Sequence, residues 1–188
     1  VLKHHAHNLT GAILMGSADA NPLAKVLLPI NKLLARVAPR QPNTVFAKVM
    51  NKVLNSQLPD RNSSSQFAWL SENTANIEAY EADPKTGFDF TNNGFMTLFT
   101  LMDTGLNKNW ATTIAKNFPM LFISGEDDPI GEMGRGIRRV VTRLDKRHFS
   151  HVDIQLYPNM RHEVLHEKDK QTVYQDILEW IETNTTDD

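Results

Sequence analysis

The sequence of 188 residues contains no cysteine, which excludes disulfides, thiolate metal sites and a cysteine nucleophile. No apolar run approaches the roughly 20 residues that a helix needs to cross a bilayer, so no membrane span is expected. The formal net charge is only −2, and a balance so near neutrality gives no sign of a nucleic-acid partner. No glycine-rich loop opens a helix in the manner of a phosphate cradle. No serine stands in a Gly-x-Ser-x-Gly elbow. Ser17, at the end of a short apolar run, lacks the glycine spacing that would expose its hydroxyl, and reads as a loop serine. An initiating methionine is also missing. Val1 to Asn8 read as the tail of a helix already under way, so the natural N-terminus is expected upstream, and the lack of a signal peptide carries little information. The absence of cysteine is compatible with a reducing cytoplasm, the expected compartment. His4, His5 and His7 have no carboxylate following at ligand spacing and read as a polar helix end. No metal and no cofactor are expected.

What is present centres on Pro119-Met120-Leu121-Phe122-Ile123-Ser124-Gly125-Glu126-Asp127-Asp128-Pro129-Ile130-Gly131. A short apolar run between Pro119 and Gly125 reads as a buried strand, and the end of such a strand is where parallel sheets carry chemistry. Three carboxylates follow at once. A second strand end, Tyr157-Pro158-Asn159-Met160-Arg161-His162-Glu163, places His162 34 residues after Asp128. An acid and then a histidine, each just past a strand, form the later half of a nucleophilic triad in the order Ser…Asp…His. Asp127 and Asp128 are both candidates for the acid, and either also suits the N-terminus of the helix expected over residues 131–147.

Three buried strands are predicted, at residues 12–15, 120–123 and 152–157. Between the first two lies a helical block. Leu23, Val26, Leu27, Ile30, Leu33, Leu34 and Val37 fall on one helix stripe, and Val45, Phe46, Val49, Met50, Val53 and Leu54 on another. Pro29 should kink or split the first helix. Asp60 to Ser65 is a polar loop, Ser71-Glu72-Asn73-Thr74 reads as a capping box, and Asp83-Pro84-Lys85-Thr86-Gly87 is a turn. Residues 94–106 are the most apolar helix. Its Phe95, Met96, Phe99 and Met102 either line an apolar substrate pocket opening toward His162 or are simply core. In the helix over residues 131–147, Arg135, Arg138, Arg139, Arg143, Lys146 and Arg147 are expected to form a solvated face. A last helix covers residues 171–183, and the C-terminus frays. Alternation of strands and helices gives an α/β protein with a parallel, doubly wound sheet. Three such strands cannot cover both faces and both edges, so further strands are expected from an upstream segment or from another copy.

These motifs resemble the α/β-hydrolase superfamily, in its monoacylglycerol lipase, lysophospholipase and serine-aminopeptidase-like branch. They are Gly11-Ala12-Ile13-Leu14-Met15-Gly16-Ser17, Phe67-Ala68-Trp69-Leu70-Ser71, the turn at Asp83 continuing through Phe88-Asp89-Phe90-Thr91, and above all the two strand ends at Ile123–Gly131 and Tyr157–Glu163. The similarity runs from about Leu9 to Trp180. It implies residues 1–18 as the end of the first part of the hydrolase core, 19–110 as a helical cap insertion, and 111–188 as the C-terminal part of the core. It also implies Asp128 as the triad acid, since the family places that acid third after the glycine, and His162 as the general base. The nucleophile elbow and oxyanion loop belong upstream of residue 1, and no residue here is assigned those roles. The implied activity is hydrolysis of a monoacylglycerol or lysophospholipid-like ester through an acyl-enzyme, by an intact protein of which this chain would be inert alone. A peptidase of the same branch is the first alternative, with Glu72, Glu78 and Glu81 as candidates to grip a free amine. A non-catalytic hydrolase-fold binding protein is the second.

Overall fold

A computed structural model of the chain describes residues 1–20, 22–60 and 64–185. A short helix α1 (Leu2–His5) and a 3-10 turn lead into β1 (Ala12–Met15). Four helices follow: α2 (Pro22–Val37), α3 (Thr44–Asn55), α4 (Thr74–Ala82) and α5 (Asn92–Thr104). Then come β2 (Met120–Gly125), α6 (Arg135–Asp145), β3 (Val152–Tyr157) and α7 (Lys170–Thr185). The strands pair in parallel in the order β1-β2-β3, with Gly125 opposite Tyr157 at the far end of the register.

β2 carries the core because its side chains alternate between two buried layers. Met120 and Phe122 meet Ile137, Val140 and Leu144 of α6, together with Trp110, Ile114 and Phe118. Leu121 and Ile123 meet Tyr157, Met160, Val164 and Val173 on the opposite face, where α7 packs. A helix on each face is the doubly wound arrangement. Only β2 is buried throughout; β1 is half-buried, and β3 alternates before ending at the buried Tyr157. The expectation that all three strands are buried is therefore met in full only by β2. An edge strand of this sheet has only one neighbour to cover it.

Four local expectations also differ. The capping box does not form. Asn73 stands at the N-cap of α4 without a side-chain cap bond, and the Ser71 hydroxyl instead donates to Glu167 at 2.9 Å. The helix after β2 starts at Arg135 rather than near Gly131, because Glu132, Met133 and Gly134 adopt left-handed φ values of 55°, 56° and 73°. Such backbone cannot belong to a right-handed helix. The arginine face of α6 is not wholly solvated. Arg143 donates to both carboxylate oxygens of buried Asp19 at 2.6 and 2.9 Å, and Arg139 adds a third bond at 3.0 Å. α2 keeps Pro29 inside one continuous helix. The Leu23 side chain, residues 61–63 of the polar loop and the C-terminal residues 186–188 lie outside the described residues.

The helices between β1 and β2 form a cap. α2 packs on α5, and Phe95 and Phe99 of α5 meet Leu27, Leu28 and Phe46. Arg143, which holds Asp19 after β1, also donates to the Leu106 carbonyl after α5 at 3.0 Å. One α6 side chain thus ties together the two stems by which the cap joins the sheet.

Candidate active site

Two turns bring the strand ends together. After β2 the chain folds at Gly125, where a Cβ would lie 2.0 Å from the Met160 carbonyl oxygen; only glycine allows this approach of backbone to backbone. Glu126 N–H then donates to the Tyr157 carbonyl at 2.8 Å, and Asp127 N–H to that of Met160 at 3.0 Å. After β3 the turn passes through Asn159 at φ 56°, a left-handed position that asparagine tolerates better than most residues. These bonds are the physical reason why residues 34 positions apart meet.

Asp128 is fully buried. Its Oδ1 accepts from Ile130 N–H at 2.8 Å, and its Oδ2 accepts from the Ser124 hydroxyl at 3.1 Å. The same Oδ2 lies 3.0 Å from Nδ1 of His162. The carboxylate beside the imidazole is therefore that of Asp128, not Asp127. Gly16, at φ 54°, brings the end of β1 against the ring, since a Cβ there would stand 3.0 Å from His162 Cε1. Trp69 covers the ring with centroids 5.4 Å apart. Burial disfavours the imidazolium, but the hydrogen bond and charge of Asp128, aided by Glu163, outweigh it and hold the His162 pKa above its ordinary 6.5. With Nδ1 committed to Asp128, Nε2 is the nitrogen left to exchange a proton with a reacting group.

His162 forms part of the wall of a cavity of about 430 Å³ that is lined mainly by apolar side chains of the cap. Phe95 and Met102 line it, as does Leu98, which sequence reasoning missed. Met96 and Phe99 do not. Phe99 is buried against Phe46 and Phe95 as core, and Met96 is half-buried outside the lining. The helix period explains the place of Met96, which leaves the stripe that Phe95, Leu98 and Met102 share, whereas Phe99 is taken from it by packing against Phe46.

Sequence reasoning also missed the latch around His162. Glu167 is buried and accepts from the Arg161 N–H at 2.8 Å, the Ser71 hydroxyl at 2.9 Å and the N–H groups of Glu72 and Asn73. Arg161 donates to the carbonyls of Ala68 and Ser71 and pairs with Glu72. Residues flanking His162 thus grip the cap segment that carries Trp69. The spacing Arg161-His162-…-Glu167 was visible, but nothing local distinguished it from surface charge. Among the described residues no group of three or more His, Asp or Glu side chains is arranged to hold a metal ion.

A parallel sheet with helices on both faces, a helical cap between two strands, and a carboxylate–imidazole pair at the strand ends define the α/β-hydrolase fold. The model of the family described as serine aminopeptidase, S33, matches residues 1–169, and the chain belongs to that family. Among solved structures it is similar to a highly thermostable carboxyl esterase from Bacillus coagulans in complex with glycerol. That match has a TM-score of 0.82 at 24% identity, over 97% of this chain and 59% of that one. A monoacylglycerol lipase from Paleococcus ferrophilus matches with a TM-score of 0.62 at 17% identity, over 98% and 64%. A soluble variant of monoglyceride lipase from Saccharomyces cerevisiae, in complex with a substrate analog, gives 0.63 at 20%, over 97% and 61%. No curated protein matches the chain. The chain spans about three-fifths of the length of these solved structures.

Proposed function

We propose that the protein is a serine hydrolase of carboxylic esters, acting through an acyl-enzyme on medium- to long-chain monoacylglycerol or lysophospholipid-like substrates. The observation that carries this reading is a buried Asp128–His162 pair whose imidazole faces a mainly apolar cavity of about 430 Å³. His162 Nε2 takes the proton of a serine hydroxyl as that oxygen attacks the ester carbonyl, then delivers it to the departing alcohol. Asp128 fixes the tautomer and stabilises the imidazolium. The cap cavity, residues 19–110 with Phe95, Leu98 and Met102 on its wall, receives the acyl chain. No serine of the 188 residues stands in a nucleophile elbow, so the nucleophile is supplied from outside them, by a further hydrolase segment. The half-buried β1 and the longer relatives support this.

The full-length protein is treated with a fluorophosphonate and assayed on p-nitrophenyl esters of increasing acyl length. Labelling that needs His162, with turnover favouring longer chains, is the expected result. Stoichiometric labelling of the 188-residue chain at Ser17 or Ser124 would overturn the assignment.

One observation favours a peptidase of the same branch: Asp89 belongs to the cavity lining, whereas Glu72, Glu78 and Glu81 do not. Cleavage of an aminoacyl arylamide in preference to an acyl ester, lost in Asp89→Asn, would establish that reading instead.

A further inference from the structure

The turn that carries His162 is bonded to the cap on both sides of that residue. Ahead of it, the Arg161 side chain donates to the carbonyls of Ala68 and Ser71. Behind it, Glu163 N–H donates to the Leu70 carbonyl at 2.8 Å, and Glu163 Oε2 accepts from the Asn76 amide at 2.7 Å. The His166 carbonyl accepts from the Asn73 amide at 2.9 Å. Glu167 closes the set. Its Oε1 accepts from the N–H groups of Arg161 and Glu72, and its Oε2 from the Ser71 hydroxyl and Asn73 N–H. A buried carboxylate is costly unless its oxygens are bonded, and these donors come from the two segments that Glu167 joins.

The cap side chain that this arrangement brings to the imidazole is Trp69. Its backbone N–H donates to Asn55 Oδ1 and its indole N–H to Asn51 Oδ1, both at 3.0 Å, so α3 fixes the indole as well. The indole and imidazole centroids are 5.4 Å apart, with the ring planes at 49°. An aromatic ring attracts a cation within about 6 Å of its centroid, more strongly where water is excluded. During turnover His162 carries a full positive charge, from the moment Nε2 takes the nucleophile's proton until it gives that proton to the departing alcohol. The charged side chains acting on the ring are Asp128, after β2, and Glu163, on its own turn; Asp89 shares the cavity wall. Gly16, after β1, brings no charge.

We propose that Trp69 is a positioning residue of the acid–base pair, its indole excluding water from the imidazole and attracting the imidazolium, and that Glu167 holds it in that place. For the step that it assists, this role rests on the hydrolase reading; the attraction itself acts on a protonated His162 whatever the reaction. A residue that merely walled the acyl cavity would be felt in ester binding. Trp69 in this role is felt in the proton affinity of His162 and in turnover.

The His162 ring protons of the full-length protein are titrated by NMR in the parent, Trp69→Leu, Glu167→Gln and the double variant. Leucine keeps an apolar cover without the aromatic ring, so the His162 midpoint should fall by about half a pH unit. Glu167→Gln, which turns amide hydrogens toward N–H donors, should move it the same way, and the double variant no further than Trp69→Leu alone. On acetyl and long-chain esters alike, Trp69→Leu should lower kcat by about threefold with KM little changed. If Glu167→Gln does not fold, Ser71→Ala removes a single donor and should also lower the midpoint. An unchanged or raised midpoint in Trp69→Leu would overturn the proposal. So would a loss confined to KM for long esters, which would make Trp69 a wall of the acyl cavity. An additive double variant, or Glu167→Gln and Ser71→Ala both leaving the midpoint in place, would overturn the role of Glu167. A lowered midpoint in a protein that hydrolyses no ester would uphold the contact and overturn the hydrolase reading instead.

Discussion

The strand-end site and the cap are built by different means. At the site, backbone positions the chemistry: Glu126 and Asp127 bond across to the β3 end, Gly125 admits a carbonyl where no side chain fits, and Asp128 has both carboxylate oxygens occupied. In the cap, side chains do the positioning. Its cavity wall is a helix stripe of Phe95, Leu98 and Met102, and two of its helices expose apolar faces. Backbone contacts tolerate almost no substitution, whereas apolar packing tolerates change of similar volume. In a protein so divided, the cavity wall can change without disturbing the Asp128–His162 pair.

The largest effect expected to test this division is on turnover. Asp128→Asn would keep the bond from Ile130 but turn an amide N–H toward His162 Nδ1, forcing the wrong tautomer. Turnover of the full-length enzyme should fall by a factor on the order of 10⁴, with little change in binding of a long ester. The pH profile gives the sign. Because Asp128 holds the His162 pKa above 6.5, the parent's activity should rise with pH through that raised value, and the variant's residual activity should rise at lower pH. The stability contributed by the charged pair is complete below 6.5 and is lost as pH climbs through the folded-state value.

Next in size is Gly125→Ala. Its Cβ would meet two carbonyl oxygens of the β3 turn, and separation of the strand ends should cost about 3 kcal/mol in a denaturant melt. Gly131→Ala is the control, since its nearest contact would be an ordinary 3.6 Å. Asp19→Asn should cost about 2 kcal/mol near neutral pH by weakening the arginine clasp of the cap stems. Burial alone would raise the Asp19 pKa, but Arg143 and Arg139 hold it below 3.8. The clasp's contribution is therefore present above that value, and the difference between parent and variant should vanish as pH falls through the lowered one. The smallest effect separates wall from core. Leu98→Asp or Met102→Gln should reduce hydrolysis of a long acyl ester relative to acetyl by about tenfold. Met96→Gln, outside the lining, should change that ratio little.

Strand and helix periodicity is a local property, which is why β2, β3, α2, α3, α5 and α7 were legible from residue spacing to within a few positions. The order of strands and helices and the two chemistry-bearing strand ends could be read the same way, because turn residues such as Gly125 and Pro129 mark where a strand stops. Spacing left Asp127 and Asp128 both open, and only the family resemblance pointed to Asp128. Other features depend on partners far away in the chain. Ser71 resembles a helix cap in sequence, but Glu167, 96 residues on, claims its hydroxyl. Arg139 and Arg143 resemble a solvated face until Asp19, 120 and 124 residues earlier, is brought beneath them. Residues Phe95 and Phe99 share a helix face in sequence, yet only packing against α2 and α3 decides that one faces the cavity and the other the core. Hydrogen bonding is satisfied locally wherever the chain allows it, and sequence foretells those bonds. Where a buried charge or hydroxyl needs a distant partner, only the tertiary fold decides which one it finds.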